Sequence, residues 1–244
     1  MWRTGVSGLS FTVYGRLSEF SDTGSPYNKA MKPFAALLVT LLAFPVFGSD
    51  FTKLVDNVIK RYGGAAAWKK VRTIDETGSL TSAMGGHGTM TRTWQRARKL
   101  RVEIVYPDHT EVRDLDGDRG TRNGQAVTGP PLDGMTLQWA RLAIPALLIE
   151  RREQLRDLGM REGLRLIEIP LNDVLTIMAA VDPKTFNIVR SASKGTGGGQ
   201  TIEFVTEYSD LRKADGLLIA FSEENFAQGM KTGDTKLTTV HVER

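Results

Sequence analysis

The pattern of apolar and polar positions predicts helices at the start of residues 49–244 and strands after them. Residues 50–62 place apolar side chains at helical spacing, and two glycines directly after this stretch end the helix. A second short helix is predicted over residues 65–70, with Trp68 facing inward. Short segments rich in Thr, Val and Ile follow, separated by Gly, Asp and Pro, and they read as strands. These predicted strands cover residues 73–82, 88–96, 99–106, 110–116 and 119–127.

The middle of the chain, residues 132–157, lacks strand alternation and predicts a helix. Its apolar positions leave almost no polar face before Glu150, and Pro145 should kink or split it. A helix that is apolar all round is either fully buried or covers an apolar surface. Residues 150–157 have surface character. The apolar positions are Met135, Leu137, Trp139, Leu142, Ile144, Leu147, Leu148 and Ile149.

The second half returns to strand patterns. Residues 201–208 alternate well, with Phe204 and Tyr208 on one face. The predicted strands cover residues 164–170, 174–181, 188–194, 201–208, 217–225 and 236–243. About eleven antiparallel strands with an N-terminal helix and a mid-chain helix predict an α+β domain. In such a domain the two helices can cover the concave face of a curved sheet.

Upstream of this domain, residues 31–48 have the organisation of a secretory signal. Lys32 forms the positive start, and residues 34–44 are apolar apart from one threonine. Val46 and Gly48 suit positions −3 and −1 of a signal peptidase site, so we expect cleavage near Gly48. The apolar run is about half of the ~20 residues that a membrane span needs. The alternative is a buried core helix.

Residues 1–30 mix Gly, Ser, Thr and isolated aromatics without a sustained period. We expect them to be an untranslated upstream region or a disordered extension, which leaves residues 49–244 as one mature domain. The net charge of +4 falls to +2 without residues 1–48, which is too small to indicate nucleic acid. The sequence has no cysteine, which excludes disulfides and a lipid-modified N-terminal cysteine. A diffusible monomer of the bacterial periplasm is therefore expected.

The sequence shows no strong signal for catalysis, a metal or a cofactor. Residues 194–200 (KGTGGGQ) lack the Gly-Lys-Ser/Thr ending of a phosphate loop and lie between two strands, so we expect a hairpin. His87, His109 and His241 lie in separate segments without metal-ligand spacing. No Gly-x-Ser-x-Gly elbow is present. Paired-carboxylate catalysis stays open at this point, but the sequence favours a protein that is not an enzyme.

Several turn motifs resemble the LolA/LolB-like superfamily of outer-membrane lipoprotein-sorting proteins. Residues 208–217 (YSDLRKADGL) are similar to its Tyr-x-Asp-(Tyr/Leu)-Arg-x-x-Asp-Gly-(Val/Leu) hairpin. Residues 181–190 (VDPKTFNIVR) are similar to its Val-Asp-Pro-x-Thr strand pair, and residues 94–102 to its basic-aromatic segment. The resemblance covers most of residues 50–244. Two positions depart from the family pattern: Ala97 replaces a proline, and Thr121 lies where an aromatic is usual.

The resemblance implies an incomplete, curved antiparallel barrel with the mid-chain helix as a lid over a hydrophobic cavity. It implies a soluble periplasmic carrier that shields acyl chains of a lipoprotein or lipid in transit to the outer membrane, with inner- and outer-membrane transport proteins as possible partners. Arg96 matches the arginine that holds the lid closed. The lid candidates are Met135, Leu137, Trp139, Leu142, Ile144, Leu147 and Leu148. The candidates for the cavity or the core under it are Val102, Ile104, Ile167, Ile169, Ile177, Ile202, Phe204, Phe221 and Phe226.

Two other functions remain open at this stage. One is a sensor or interaction domain of the RseB type, which would use the same fold to detect mislocalised lipoproteins and bind a membrane partner. Such sensors usually have a second C-terminal domain, and this sequence ends at Arg244 directly after its last predicted strand, which favours the carrier. The other is a structural domain with a filled core and no ligand.

Overall fold

The computed structural model describes residues 49–84, 86–197 and 200–244. The predicted extension at 1–30 and the predicted export signal at 31–48 lie outside the described residues. Gly198 and Gly199, in the middle of the glycine-rich segment, lie outside them as well. The strands on either side pair with each other in antiparallel register, as expected for a hairpin.

All strands of the described residues form one antiparallel sheet. Its order is β6-β5-β4-β3-β2-β1-β13-β12-β11-β10-β9-β8-β7, so strands adjacent in sequence pair with each other except β6 and β7, and the first strand also pairs with the last. In this part of the chain the edge strands β6 and β7 are not hydrogen-bonded to each other, and the barrel stays open. The predicted α+β class and incomplete curved barrel are confirmed. The strands are β1 (Thr73–Ser82), β2 (Gly86–Gln95), β3 (Lys99–Val105), β4 (Thr110–Asp116), β5 (Arg119–Arg122), β6 (Gln125–Val127), β7 (Arg156–Arg161), β8 (Leu164–Pro170), β9 (Thr176–Val181), β10 (Ile188–Gly197), β11 (Gln200–Ala214), β12 (Leu217–Ala227) and β13 (Met230–Glu243).

Within the described residues, two helices precede the sheet, and two helices connect its edges. The N-terminal pair is α1 (Ser49–Arg61) and α2 (Ala65–Lys70), and Trp68 of α2 is buried as predicted. The mid-chain pair is α3 (Pro130–Leu142) and α4 (Ile144–Glu150), followed by a 3₁₀ turn at Arg152–Gln154. The predicted mid-chain helix is split at Ala143, two residues before Pro145. Proline has no amide hydrogen and its ring clashes with the preceding turn, which explains the break.

The structure corrects two parts of the strand prediction. The single strand predicted over residues 119–127 is a hairpin, because Asn123 and Gly124 adopt positive φ angles of 51° and 76° and form the tight turn between β5 and β6. The segment after Glu150, predicted as the surface end of a helix, contains the 3₁₀ turn and the edge strand β7. β7 pairs only with β8 and is largely exposed, so it lacks the apolar alternation that marks other strands.

The core lies between the concave face of the sheet and the helices. α1 and α2 contact α4, and α3 contacts strands on both sides of the opening, including β4, β5, β9 and β10. The approach of α3 to β5 depends on Gly120. A Cβ atom at this position would lie 2.9 Å from both Leu132 Cδ1 and Met135 Sδ. Glycine therefore lets the helix pack directly on the strand.

Candidate functional site

A cavity of about 390 Å³ lies between α3 and the floor of the sheet. Its lining extends to the end of the barrel where β1 ends and β13 begins, at Ser82 and Gly233, and this end is called the mouth below. Six of the predicted lid and cavity residues line it together: Ile104, Met135, Leu137, Ile177, Phe204 and Phe226.

The lining of this cavity is mixed, so the predicted hydrophobic cavity is not confirmed. Arg141 enters it from α3, and small polar side chains form part of its floor. Two further arginines lie on its wall. The polar lining residues include Arg113, Arg122, Arg141, Ser191, Ser193, Thr206, Asn225 and Asp234. Amphipathic ligands suit such a lining better than purely apolar ones.

The remaining candidates do not line this cavity. Trp139 stacks on Trp94 with ring centroids 6.0 Å apart, and its Nε1 donates to the Gln95 carbonyl over 2.9 Å. The Phe221 ring lies 4.8 Å from the Arg212 guanidinium. Ile202, on β11, is half-buried and also outside the lining. Further candidates are buried in the core: Val102, Leu147, Leu148, Ile167 and Ile169.

A second cavity, of about 50 Å³, lies beneath the junction of α3 and α4. The predicted lid residues Leu142 and Ile144 line it from the helices. Glu76 and Glu223 face it from the sheet. Arg141 lines both cavities, so its side chain stands between them.

Sequence analysis missed a buried ionic network in the floor of the sheet. Arg92, only 1% exposed, donates from Nε to Glu76 over 2.5 Å and from Nη2 to Glu223 Oε1 over 2.8 Å. Arg141 Nη2 approaches Glu223 Oε2 at 3.4 Å. Two arginines and two glutamates therefore form a charge-balanced group in the interior. Strand alternation places Arg92 on the same face as Trp94, and this could have shown that it points inward.

The network shifts the pKa values of its members in opposite directions. Burial raises the pKa of Glu76, and the attraction of Arg92 offsets only part of this rise. Burial also acts to raise the pKa of Glu223, but Arg92 and Arg141 outweigh it and lower this pKa to about 2. Burial acts to lower the pKa of Arg92, but the two carboxylates raise it overall. Glu223 and Arg92 are therefore charged at neutral pH.

Arg141 also attaches the end of α3 to the floor of the sheet. Its Nη1 donates to Asn225 Oδ1 over 2.5 Å and to Thr206 Oγ1 over 2.9 Å. The Tyr208 hydroxyl lies 3.3 Å from the Arg141 carbonyl oxygen and 2.7 Å from Ser191 Oγ. The C-terminal turn of the predicted lid is thus hydrogen-bonded to three strands, β10, β11 and β12, directly or through Tyr208.

Arg96, the predicted lid-holding residue, lies in the turn between β2 and β3. Its guanidinium forms an ion pair with Glu150 at the end of α4 and donates to the Trp68 carbonyl. Its Nε donates to the Val71 carbonyl over 3.1 Å. Arg96 therefore connects this turn to both α2 and α4, and its role in holding the lid stays a prediction.

A second charged cluster lies at the mouth of the larger cavity. Glu111, on β4, accepts from Arg113 Nε over 2.5 Å and lies 3.1 Å from Arg122 Nη2. Burial acts to raise the pKa of Glu111, but the two arginines outweigh it and lower this pKa. Two positive charges share one negative charge here, so the cluster has an excess of one positive charge.

Within the described residues, no group of His, Cys, Asp or Glu side chains could hold a metal ion. No helix in this part of the chain is long and apolar enough to cross a membrane.

Solved structures with a similar fold include proteins from the following three organisms. A domain designated as outer membrane lipoprotein-sorting protein from Vibrio parahaemolyticus is 10% identical, with a TM-score of 0.48 over 78% of this chain and 91% of that one. A LolA superfamily protein from Nitrosomonas europaea is 8% identical, with a TM-score of 0.48 over 78% and 94%. A DUF1329 family protein from Desulfovibrio piger is 8% identical, with a TM-score of 0.45 over 79% and 92%.

No family model matches this sequence, and no curated protein matches it. The first two structures bear the name of the superfamily whose turn motifs the sequence resembles. At identities of 8–10% and TM-scores below 0.5, the function of this chain must be inferred from its own residues.

Proposed function

We propose that this protein is a soluble periplasmic carrier that holds an acyl chain of a lipid or lipoprotein in the cavity under α3 during transit to the outer membrane. The observation that supports this most is the cavity itself. It lies beneath the predicted lid, and six residues chosen from the sequence as lid or cavity residues line it together. The periplasmic location rests on the predicted export signal at residues 31–48.

The size of the cavity favours one ligand of modest size. Its volume of about 390 Å³ lies near the lower end of the range of small-molecule sites, which is ~300–1,000 Å³. Burial of about ten methylene groups would contribute ~8 kcal/mol, at ~0.8 kcal/mol each. Before the cost of association is deducted, this corresponds to a dissociation constant of about 1 μM.

The proposed activity is binding and release and involves no covalent step. The segment α3–α4 lies in sequence between the two open edges of the sheet, so it can move without breaking the strand ladder. Movement of α3 requires release of the hydrogen bonds that Arg141 makes to the floor. Loading and unloading by membrane transport proteins would supply the ligand and receive it.

The carrier proposal is tested by lipid extraction from the native protein and by titration with an apolar fluorescent dye. Phe204 suits a variant because it lines the cavity and is 41% exposed. Phe204→Asp should weaken dye binding about tenfold, since a buried phenyl side chain contributes ~1.5–3 kcal/mol. Ile144 is a poorer choice, because it is 1% exposed and a charge there would unfold the protein.

Val105→Asp is the matched control. Val105 is 47% exposed on β3 and does not line the cavity, so this variant should bind dye like the wild type. The carrier proposal fails if the native protein yields no lipid and the wild type binds no dye. Such a result would favour the structural domain with a filled core.

A further inference from the structure

The mouth of the larger cavity has a pair of arginines on adjacent strands. Arg113 of β4 lies opposite Arg122 of β5 in the strand register, and both line the cavity. They share Glu111, which is only 7% exposed. Like charges directly opposite each other destabilise a strand pair, and a single carboxylate compensates only one of them.

The outer arginine of this pair is accessible to a ligand. The Arg122 side chain is 58% exposed and that of Arg113 is 32% exposed. A guanidinium has five N–H donors in a planar fork that matches a carboxylate or phosphate. On the other side of the mouth, Asp234 shares Lys231 with Glu224, at 3.4 Å and 2.9 Å. The excess of positive charge is therefore confined to the arginine side of the mouth.

Apolar side chains of α3 and of the sheet line the same cavity. Met135 and Leu137 project from α3, and Ile177 and Phe204 from the strands below it. One cavity thus combines an arginine pair with apolar side chains. The volume of about 390 Å³ suits a single chain rather than several.

We propose that the ligand is an amphiphile with one acyl chain and an anionic head group, either a carboxylate or a phosphate. The head group pairs with Arg113 and Arg122, and the chain lies against Met135, Ile177 and Phe204. This inference rests on the proposed carrier function and specifies the chemical class of its ligand.

The test compares ligands that share a chain and differ in the head group. Laurate, dodecyl phosphate and dodecanol are titrated below their aggregation limits, at low and high salt. The two anions should bind about tenfold more tightly than dodecanol at low salt, since a hydrogen bond to a charged group is worth ~1.5–3 kcal/mol. High salt should reduce this preference, because the mouth is partly exposed. Inorganic phosphate alone, at the concentrations used for laurate, should not displace laurate.

Arg122→Gln provides the corresponding variant, and Arg119→Gln is its matched control on the same strand. When Arg122 is replaced, Glu111 still pairs with Arg113, so its buried carboxylate is not left without an arginine. Arg122→Gln should weaken laurate binding about three- to tenfold and leave dodecanol binding unchanged. Arg119 is exposed and lies on the other face of β5, so Arg119→Gln should change neither laurate binding nor dodecanol binding.

Each other outcome has a defined meaning. Equal binding of dodecanol and laurate, or equal effects of the two variants, would overturn the anionic head group and leave the carrier proposal in place. Displacement of laurate by an equal concentration of inorganic phosphate would show a site for a free anion and overturn the amphiphile. Failure of all three ligands and of the apolar dye to bind would refute the carrier proposal itself.

Discussion

Replacement of Arg92 by methionine should destabilise the protein strongly and in a pH-dependent way. Arg92 is 1% exposed and donates hydrogen bonds to Glu76 and to Glu223. Methionine has a similar length but no charge, so Arg92→Met leaves Glu76 without its arginine. Glu223 keeps only Arg141, at 3.4 Å. Removal of one partner from a buried ion pair costs ~3–5 kcal/mol, because the other charge stays buried without compensation.

The pH dependence follows from the direction of the pKa shifts. In the wild type the pKa of Glu223 is lowered from 4.5 to about 2, so its contribution to stability is present above pH 4.5 and is lost as the pH falls towards 2. The pKa of Glu76 is raised already in the wild type; without Arg92, burial should raise it further and should raise the pKa of Glu223 above 4.5. Such carboxyls are protonated in both states below pH 4.5, and the penalty develops as the pH rises through their folded-state pKa. The stability difference between wild type and Arg92→Met should therefore be larger at pH 8 than at pH 4.5.

Urea unfolding followed by tryptophan fluorescence measures this difference at both pH values. The double variant Arg92→Met/Glu76→Leu should recover at least about 1 kcal/mol relative to Arg92→Met, since the stranded carboxylate is removed as well. Arg101→Gln, which breaks a surface pair with Asp114, should cost less than about 1 kcal/mol. A cost below about 1 kcal/mol for Arg92→Met at pH 8, or an equal cost at both pH values, would refute this reasoning.

Two further substitutions concern the attachment of the helices to the sheet. Arg96→Gln removes the ion pair with Glu150 and should speed amide hydrogen exchange in α4. The free energy of unfolding should fall by only about 1 kcal/mol. Unchanged hydrogen exchange in α4 would contradict this prediction. Gly120→Val places a side chain against Met135 on α3 and should cost ~1–3 kcal/mol in urea unfolding. Gly134→Ala, within α3, is its control: the added Cβ meets no atom within 4 Å, so stability should rise by ~0.5–1 kcal/mol.

Strands whose alternation ends at a clear turn signal were predicted with their observed bounds. This holds for β1 (Thr73–Ser82), β4 (Thr110–Asp116) and β8 (Leu164–Pro170). The strand β7 was missed, because an exposed edge strand need not alternate and its sequence resembles a polar surface segment. The turn between β5 and β6 was overlooked although Asn123–Gly124 is a strong hairpin signal.

The candidate site was harder to predict than the sheet, because an apolar pattern does not distinguish core from cavity. Leu147 and Leu148 have the same sequence character as Leu137, yet they are packed in the core while Leu137 lines the cavity. Charged lining residues depend on strand pairing as well as on alternation. Arg113 and Arg122 meet only because the β4–β5 hairpin has this particular register. The two-residue turn between β4 and β5 sets this register, so reading the two strands as a hairpin could have shown the pairing.

Charge balance and exposure distinguish the arginines of this barrel that have a structural role from those that can bind a ligand. Arg92 is enclosed at 1% exposure and is shared by two carboxylates, so an additional anion would have to compete with both and would meet the negative charge of Glu76 and Glu223. Arg122 is 58% exposed and shares a single carboxylate with Arg113. A ligand anion at the mouth therefore neutralises the arginine charge that Glu111 leaves uncompensated. A ligand anion beside Arg92, in the floor of the sheet, would disrupt a group whose charges are already paired. If the cavity binds an anion, the difference between these two clusters places it at the mouth.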